Sequence, residues 1–382
     1  MRYPDATDLL DDARAATGLD DFGPGDFRVG LEALVESLRT DAGLDPSTDT
    51  AVVGLLRRRL ANRLLVEKWY VDHPEVADTV IEGPVDVIGL PRTGTTALGN
   101  MLSLDPRFRA LRMWEQTEPV PPPVFGREHD DARRVAQLAA DAAVPAEVHA
   151  MHLYEIDGAA EDSEVLGMAF HGQQMTLPVW GYHAWWRAAD QRQTFAYHRR
   201  VVQVLGSQRP PHRWLFKSPH HKFHPEAIVE AYPDIRFVMT HRDPARVVPS
   251  YSSLVSTIFP TSLGPRDLHR VGQEISEHLR VGTEMLLDAR RRMGDDRFLD
   301  IHHRETIDDP VGVVRRVWAF SGMDPDPAVE AAVLEYQRRN RSGARGTHDY
   351  TPEKFGLTTA QLHADFAPYI DHFDIDLEDH HG

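Results

Sequence analysis

The chain has 382 residues, 41% of them hydrophobic, and carries a formal charge of −17. That length supports a sizeable core in one large or two closely joined domains, and the acidic balance excludes broad binding to nucleic acid or anionic membrane, which needs a basic face. The absence of cysteine removes disulfides, thiolate nucleophiles and Cys-ligated metal centres together. No apolar run approaches the roughly 20 residues of a membrane span, and the start MRYPDATDLLDDAR is acidic where a secretion signal is basic and then apolar, so a cytoplasmic protein is expected. Any anion that binds must meet a local cluster of cations.

Residues 1–80 read as a helical N-terminal extension, with one helical pattern in FRVGLEALVESLRT and a stronger one in TAVVGLLRRRLANRLLVEKWYVDHP, whose arginines are expected on the side opposite the apolar residues. At residue 85 the period changes. VDVIGL is a short β-branched run and TTALGNMLSLD has helix character, so the glycine loop between them joins a strand to a helix. After the Pro-rich turn EPVPPP, DDARRVAQLAADAAV is helical, and residues 160–205 are mostly helical with dense aromatics. Strands return in RWLFKSP and IRFVMTHRDP; a helix over about 266–292, a strand in RFLDIHH and the helix DPVGVVRRVWAFSG, capped by Asp308 or Asp309, follow. Strands alternating with helices predict an α/β fold with a parallel sheet covered on both faces.

Three stretches carry chemistry. Gly89, four residues, then Gly94, Thr95 and Thr96 reproduce the spacing of a phosphate-binding loop, but the lysine of that pattern is missing and Arg92 sits within the loop. Backbone N–H groups and the start of the next helix would face an anion there, with the hydroxyls of Thr93, Thr95 and Thr96 beside it; the alternative is an ordinary strand-to-helix turn. In THRDPARVVPSYSSL, Arg242 leaves a strand end and Ser250 lies in the following helix, a guanidinium and a hydroxyl aimed at one phosphate. A neighbouring acid such as Asp243 is the competing partner. In RWLFKSPHHKF, Lys217 ends a buried strand at the sheet edge where ligands collect, and His220 and His221 follow.

Together these stretches resemble the sulfotransferase superfamily over about residues 84–325. The family's 5′-phosphosulfate loop looks like GLPRTGTT, its 3′-phosphate motif like Arg242 through Ser250, and its strand-end lysine like Lys217. The resemblance implies a P-loop-NTPase-like three-layer sandwich: a domain over 81–382 with a helical lid insertion at about 121–205 on the acceptor side and a cofactor-closing segment at about 338–360. It implies the donor 3′-phosphoadenosine 5′-phosphosulfate (PAPS), released as PAP, with no metal required and with Pro91, Arg92, Thr93, Gly94, Thr95, Thr96, Arg242 and Ser250 as its contacts. Arg345 and Gly346, in the basic stretch NRSGARGTHDY, resemble the loop that closes over the 3′-phosphate, with Arg341 as the alternative.

Sulfuryl transfer is an in-line displacement in which the protein positions reactants and stabilises charge on the leaving oxygen. Arg92 and Lys217 are the expected stabilisers. For the base that takes the acceptor's proton, the resemblance offers Glu115, favoured, or His220, with Glu118 a substitute for Glu115. The acceptor is expected to be a hydroxyl of a small molecule, lipid or carbohydrate. The aromatics of 165–200 either line its pocket or form core, EDSEV (161–165) either presents acids to it or starts a helix, and the ending DLEDHHG is either a metal site or a flexible tail. A P-loop kinase or hydrolase and a catalytically inactive PAP-binding module are the rival readings.

Overall fold

The computed structural model describes residues 3–142, 155–172, 174, 177–258, 268–340 and 351–378. Five short runs rich in Val, Ile and Phe form the strands: β1 Glu82–Gly89, β2 Phe108–Ala110, β3 Arg213–Lys217, β4 Arg236–His241 and β5 Phe298–His302. They make one sheet in the order β2-β3-β1-β4-β5, and every pairing is parallel. Successive side chains alternate between its faces. Val85 and Val87 pack with Leu98, Val314 and Trp318, while Ile88 packs with Phe237, Met239 and Leu279 on the other side. Both faces are therefore covered by helices, as a parallel sheet requires.

Register decides where the site lies. Val87 stands opposite Lys217 and Gly89 opposite Thr240, so β3, β1 and β4 end at nearly the same level. The chain segments leaving all three meet at one edge, the place where open α/β sheets gather ligands.

The N-terminal part contains three helices, α1 Ala6–Thr17, α2 Phe27–Thr40 and α3 Pro46–Asp72. The first was not among the sequence expectations, because ATDLLDDARAAT is too acidic to show a strong apolar stripe; its ends carry the signal instead. Asp5 and Asp8 form a capping box and Gly18 closes the helix in the left-handed region. Strand β2 was also missed, being three residues long. The expected solvent face of arginines on α3 is corrected in part: Arg57 is exposed, but Arg59 and Arg63 are buried. Arg63 donates to the carbonyls of Phe22, Met168 and Pro24 at 2.9, 3.1 and 2.7 Å, tying α3 to segments far away in the chain.

The aromatics of 165–200 resolve as core. Phe170, Tyr182 and Trp186 join Leu31, Leu60 and Leu64 of the N-terminal helices in one cluster, and Phe195 and Tyr197 belong to the main core. Of the two proposed caps, Asp309 is the one used, accepting the Gly312 N–H at 2.9 Å. Among the described residues no helix is long and apolar enough to cross a membrane.

Candidate active site

The β1 loop is shaped by residues in the left-handed region. Gly89 has φ 137°, Arg92 67° and Gly94 96°. A Cβ on Gly89 would lie 2.4 Å from the Thr240 carbonyl oxygen, so β4 can approach β1 this closely only because the residue is glycine. Gly94 caps helix α4, Thr95–Leu102, whose first amides have no partner within the helix and carry its positive dipole end. The Thr93 hydroxyl corrects an expectation: it is buried, donates to the Leu90 carbonyl at 2.6 Å and meets Thr240 Oγ1 at 2.6 Å. It staples the loop to β4, which leaves the Thr93 backbone for an anion. His303, which the sequence reading did not single out, lies 3.1 Å from the Thr93 carbonyl through Nδ1. Burial, and then the Arg242 charge, push its pKa down to about 4, so it is a neutral donor there.

Lys217, 3% exposed, ends β3 beside this loop. Its ammonium donates to Thr96 Oγ1 at 3.4 Å and stands 3.8 Å from Glu161 Oε1. Burial lowers its pKa, with Glu161 and Asp162 acting in the opposite sense. Glu161 is the less expected partner. Its segment is held by Ala159 N–H on Asn100 Oδ1, Ala160 N–H on the Leu111 carbonyl and the Gln116 amide on the Glu161 carbonyl, at 3.2, 2.9 and 3.1 Å, while its carboxylate stays about one-third exposed.

The two sequence candidates for a base are placed differently. Glu115 is fully buried on helix α5, Met113–Thr117; one carboxylate oxygen takes the Arg109 guanidinium and the other accepts the Arg112 N–H at 2.9 Å. Both oxygens are committed to structure. Among the described residues, nothing hydrogen-bonds His220 Nδ1. Burial, then Lys222 and His221, hold its pKa well below the usual range, so the ring is neutral.

Under this corner lies a buried polar network. His221 stands between Asp86 and Asp162 at 2.8 and 3.1 Å, and His198 joins Asp162 to the Tyr232 hydroxyl at 3.0 and 2.7 Å. Burial opposes a charge on His221, but Asp162 and then Asp86 push its pKa up to about 10. The imidazolium fixes the KSPHHK turn that carries Lys217.

At the other end of the loop, Arg92 Nε reaches Ser250 Oγ at 3.3 Å and Arg242 Nη1 reaches the Arg92 carbonyl at 3.5 Å. Arg92, Arg242 and Ser250 are therefore brought together. Arg242 is not paired with Asp243, which instead accepts from Ala245 N–H, His363 and Glu378 N–H. Its guanidinium grips both oxygens of Glu378 at 2.7 and 3.0 Å, and Arg246 stands 3.6 Å away. No local motif pointed to Glu378, in the DLEDHHG ending. Arg341, Arg345 and Gly346 lie outside the described residues, as do the last four residues of that ending. Among the described residues no group of three or more His, Asp or Glu side chains is arranged to hold a metal.

The chain is 31% identical to the sulfotransferase STF9 from Mycobacterium avium, with a TM-score of 0.90 and 98% of each chain covered. It is 28% identical to the sulfotransferase STF1 from Mycobacterium tuberculosis, with a TM-score of 0.80, covering 95% of this chain and 98% of that one. Curated proteins give no match. The model of the Sulfotransferase family matches residues 84–327, a span that takes in the β1 loop, Lys217, Arg242 and Ser250. With that match over more than half its length, the chain belongs to the sulfotransferase family, whose members move a sulfuryl group.

Proposed function

We propose that the protein transfers a sulfuryl group from PAPS to a hydroxyl of a small-molecule, lipid or carbohydrate acceptor, releasing PAP. The observation that carries this reading is the junction of two anion stations at Arg92: the β1 loop that forms one station is tied there to the Arg242 and Ser250 pair that forms the other, through Arg92 Nε on Ser250 and Arg242 on the Arg92 carbonyl. A donor with phosphate groups at both its 3′ and 5′ positions calls for two such stations. The residues fit it on a further count, because Arg242 already holds a carboxylate, Glu378, in a two-pronged grip of the kind that an arginine gives a phosphate. A 3′-phosphate on Arg242 would replace that carboxylate.

When bound, the donor supplies an activated sulfur–oxygen bond. The chain's part is positioning and charge. Thr96 and the first amides of α4 hold the 5′ end; Arg92 and Lys217 offset the charge that develops on the leaving oxygen. The acceptor hydroxyl gives its proton to a base as its oxygen bonds to sulfur and the bond from sulfur to the 5′-phosphate breaks. We assign the base to Glu161, whose part-exposed carboxylate faces Lys217, and give Glu115 the task of holding Arg109 and the start of α5 in place. His220 is the second reading, favoured by its Nδ1, which has no partner among the described residues.

Equilibrium binding tests the donor assignment. PAPS and PAP are expected to bind saturably without magnesium; tight magnesium–ATP binding with no affinity for PAP would return the chain to the kinase-like reading. Glu161→Gln should depress turnover with donor affinity kept. If Glu161→Gln keeps full turnover and His220→Asn loses it, the base is His220.

A further inference from the structure

Away from the donor loop, at the outer edge of the sheet, lies a pocket of about 470 Å³. It is bordered by Arg109 of β2, Arg112, Arg134 of helix α6 (Ala132–Ala142), and Arg209 from the turn before β3. Strand β3 separates β2 from β1, so these arginines are not part of the donor cradle. In a chain with a net charge of −17, four guanidinium groups around one hollow need a physical reason.

Their carboxylate partners do not account for them all. Asp157 is taken by Arg134, with contacts of 2.9 and 2.6 Å. Glu115 is taken by Arg109 and by the Arg112 backbone. Glu128 stands 3.7 Å from Arg209, beyond hydrogen-bond reach. Among the described residues, no carboxylate hydrogen-bonds the guanidinium of Arg112 or Arg209. Among the described residues, the buried Nε–H groups of Arg109 and Arg209 have no acceptor, and Arg109 is only 2% exposed and the Arg209 side chain 10%. Buried donors are nearly always satisfied, so two orphans beside one hollow call for an acceptor that the described residues do not supply. Burial, followed by mutual repulsion between arginines, lowers the pKa of Arg209 to about 10 and lowers that of Arg112, as expected of cations crowded without enough counter-charge.

We propose that this pocket is a second anion site, one that binds a tetrahedral oxyanion of the sulfate or phosphate class between Arg112 and Arg209. Guanidinium forks match such oxygens in pairs, and Phe125, which also borders the pocket, lies 5.2 Å from the Arg209 guanidinium and gives it an apolar wall. The volume exceeds that of a bare ion, so the anion can be free or carried on a small organic group.

The test is calorimetric titration at constant ionic strength with sodium sulfate, sodium phosphate and phenyl phosphate. It is done on the Arg92→Ala protein, in which the donor loop is weakened, and on Arg92→Ala combined with Arg112→Gln and Arg209→Gln. One saturable anion in the first protein, at least tenfold weaker in the second, is the expected result. Phenyl phosphate binding at least tenfold tighter than phosphate identifies an anion carried on an organic group; equal binding identifies the free ion. Should the combined variant unfold, Arg92→Ala with Arg112→Gln alone replaces it, since Arg112 has no carboxylate partner to lose. No saturable binding in Arg92→Ala, or binding untouched by the arginine changes, overturns the proposal. The result is independent of the donor assignment, because neither PAPS nor PAP is used.

Discussion

The two anion stations on the β1 loop are built by different means. The first is made by the fold itself: Gly89 packed against Thr240, Thr93 stapled to β4, and Lys217 buried between Thr96 and Glu161. Its geometry follows from strand register and leaves little freedom. The second is made of side chains, Arg242 and Ser250, and Arg242 is held by a carboxylate from the far end of the described chain, Glu378. One station is rigid before any ligand arrives. The other must exchange one anion for another, so the first should govern turnover and stability and the second donor affinity.

The largest expected effect attacks the foundation of the first station. Asp162→Asn leaves the buried His221 charge with one partner fewer and should destabilise the fold by about 3–5 kcal/mol. The same network has a pH signature. The pKa of His221 is raised from an ordinary value of 6.5 to about 10, so its contribution to stability is complete below pH 6.5 and is lost as pH rises towards 10. The thermal midpoint of the native protein should therefore fall between pH 7 and 10 more steeply than that of Asp162→Asn; parallel curves would remove the imidazolium from the account.

Next comes Lys217→Met, which keeps the buried volume but removes the charge. It should cost about 2.7–4 kcal/mol in the transition state, or about 10²–10³ in turnover, while donor affinity changes little. Equal losses in both would blur the division between stations. Arg242→Ala should do the reverse, weakening donor binding by about 1.5–3 kcal/mol, tenfold or more, with turnover at saturating donor preserved. The smallest effect sharpens the comparison most. Glu378→Gln removes a part-exposed ion pair worth roughly 0.2–1 kcal/mol, so donor affinity should rise by a factor of about five or less. A fall in affinity would mean that Glu378 helps the donor rather than giving way to it.

What was legible in the sequence was local. Gly89, Gly94, Lys217 and the Arg242 to Ser250 offset each lie within one strand-to-helix segment, where spacing is geometry. The parallel sheet followed from the alternation of strands and helices. What the sequence hid was contact across long distances. Glu378 lies 136 residues from Arg242, Glu161, in a loop, faces the lysine at the end of β3, and His303 reaches the β1 loop from the start of the helix that follows β5. The acid-rich α1 betrayed itself only at its caps. Arg59 and Arg63 were read as solvent-facing because a helical period cannot tell an arginine in water from one buried on distant carbonyls.

The central claim, that one loop joins two anion stations for a single bisphosphorylated nucleotide, is tested most directly by comparing PAP with adenosine 5′-monophosphate on the native protein and on Arg242→Ala. Native protein should prefer PAP by tenfold or more, and Arg242→Ala should bind the two nearly alike. Equal binding of both nucleotides by the native protein, or a preference for PAP that survives the loss of Arg242, would contradict it.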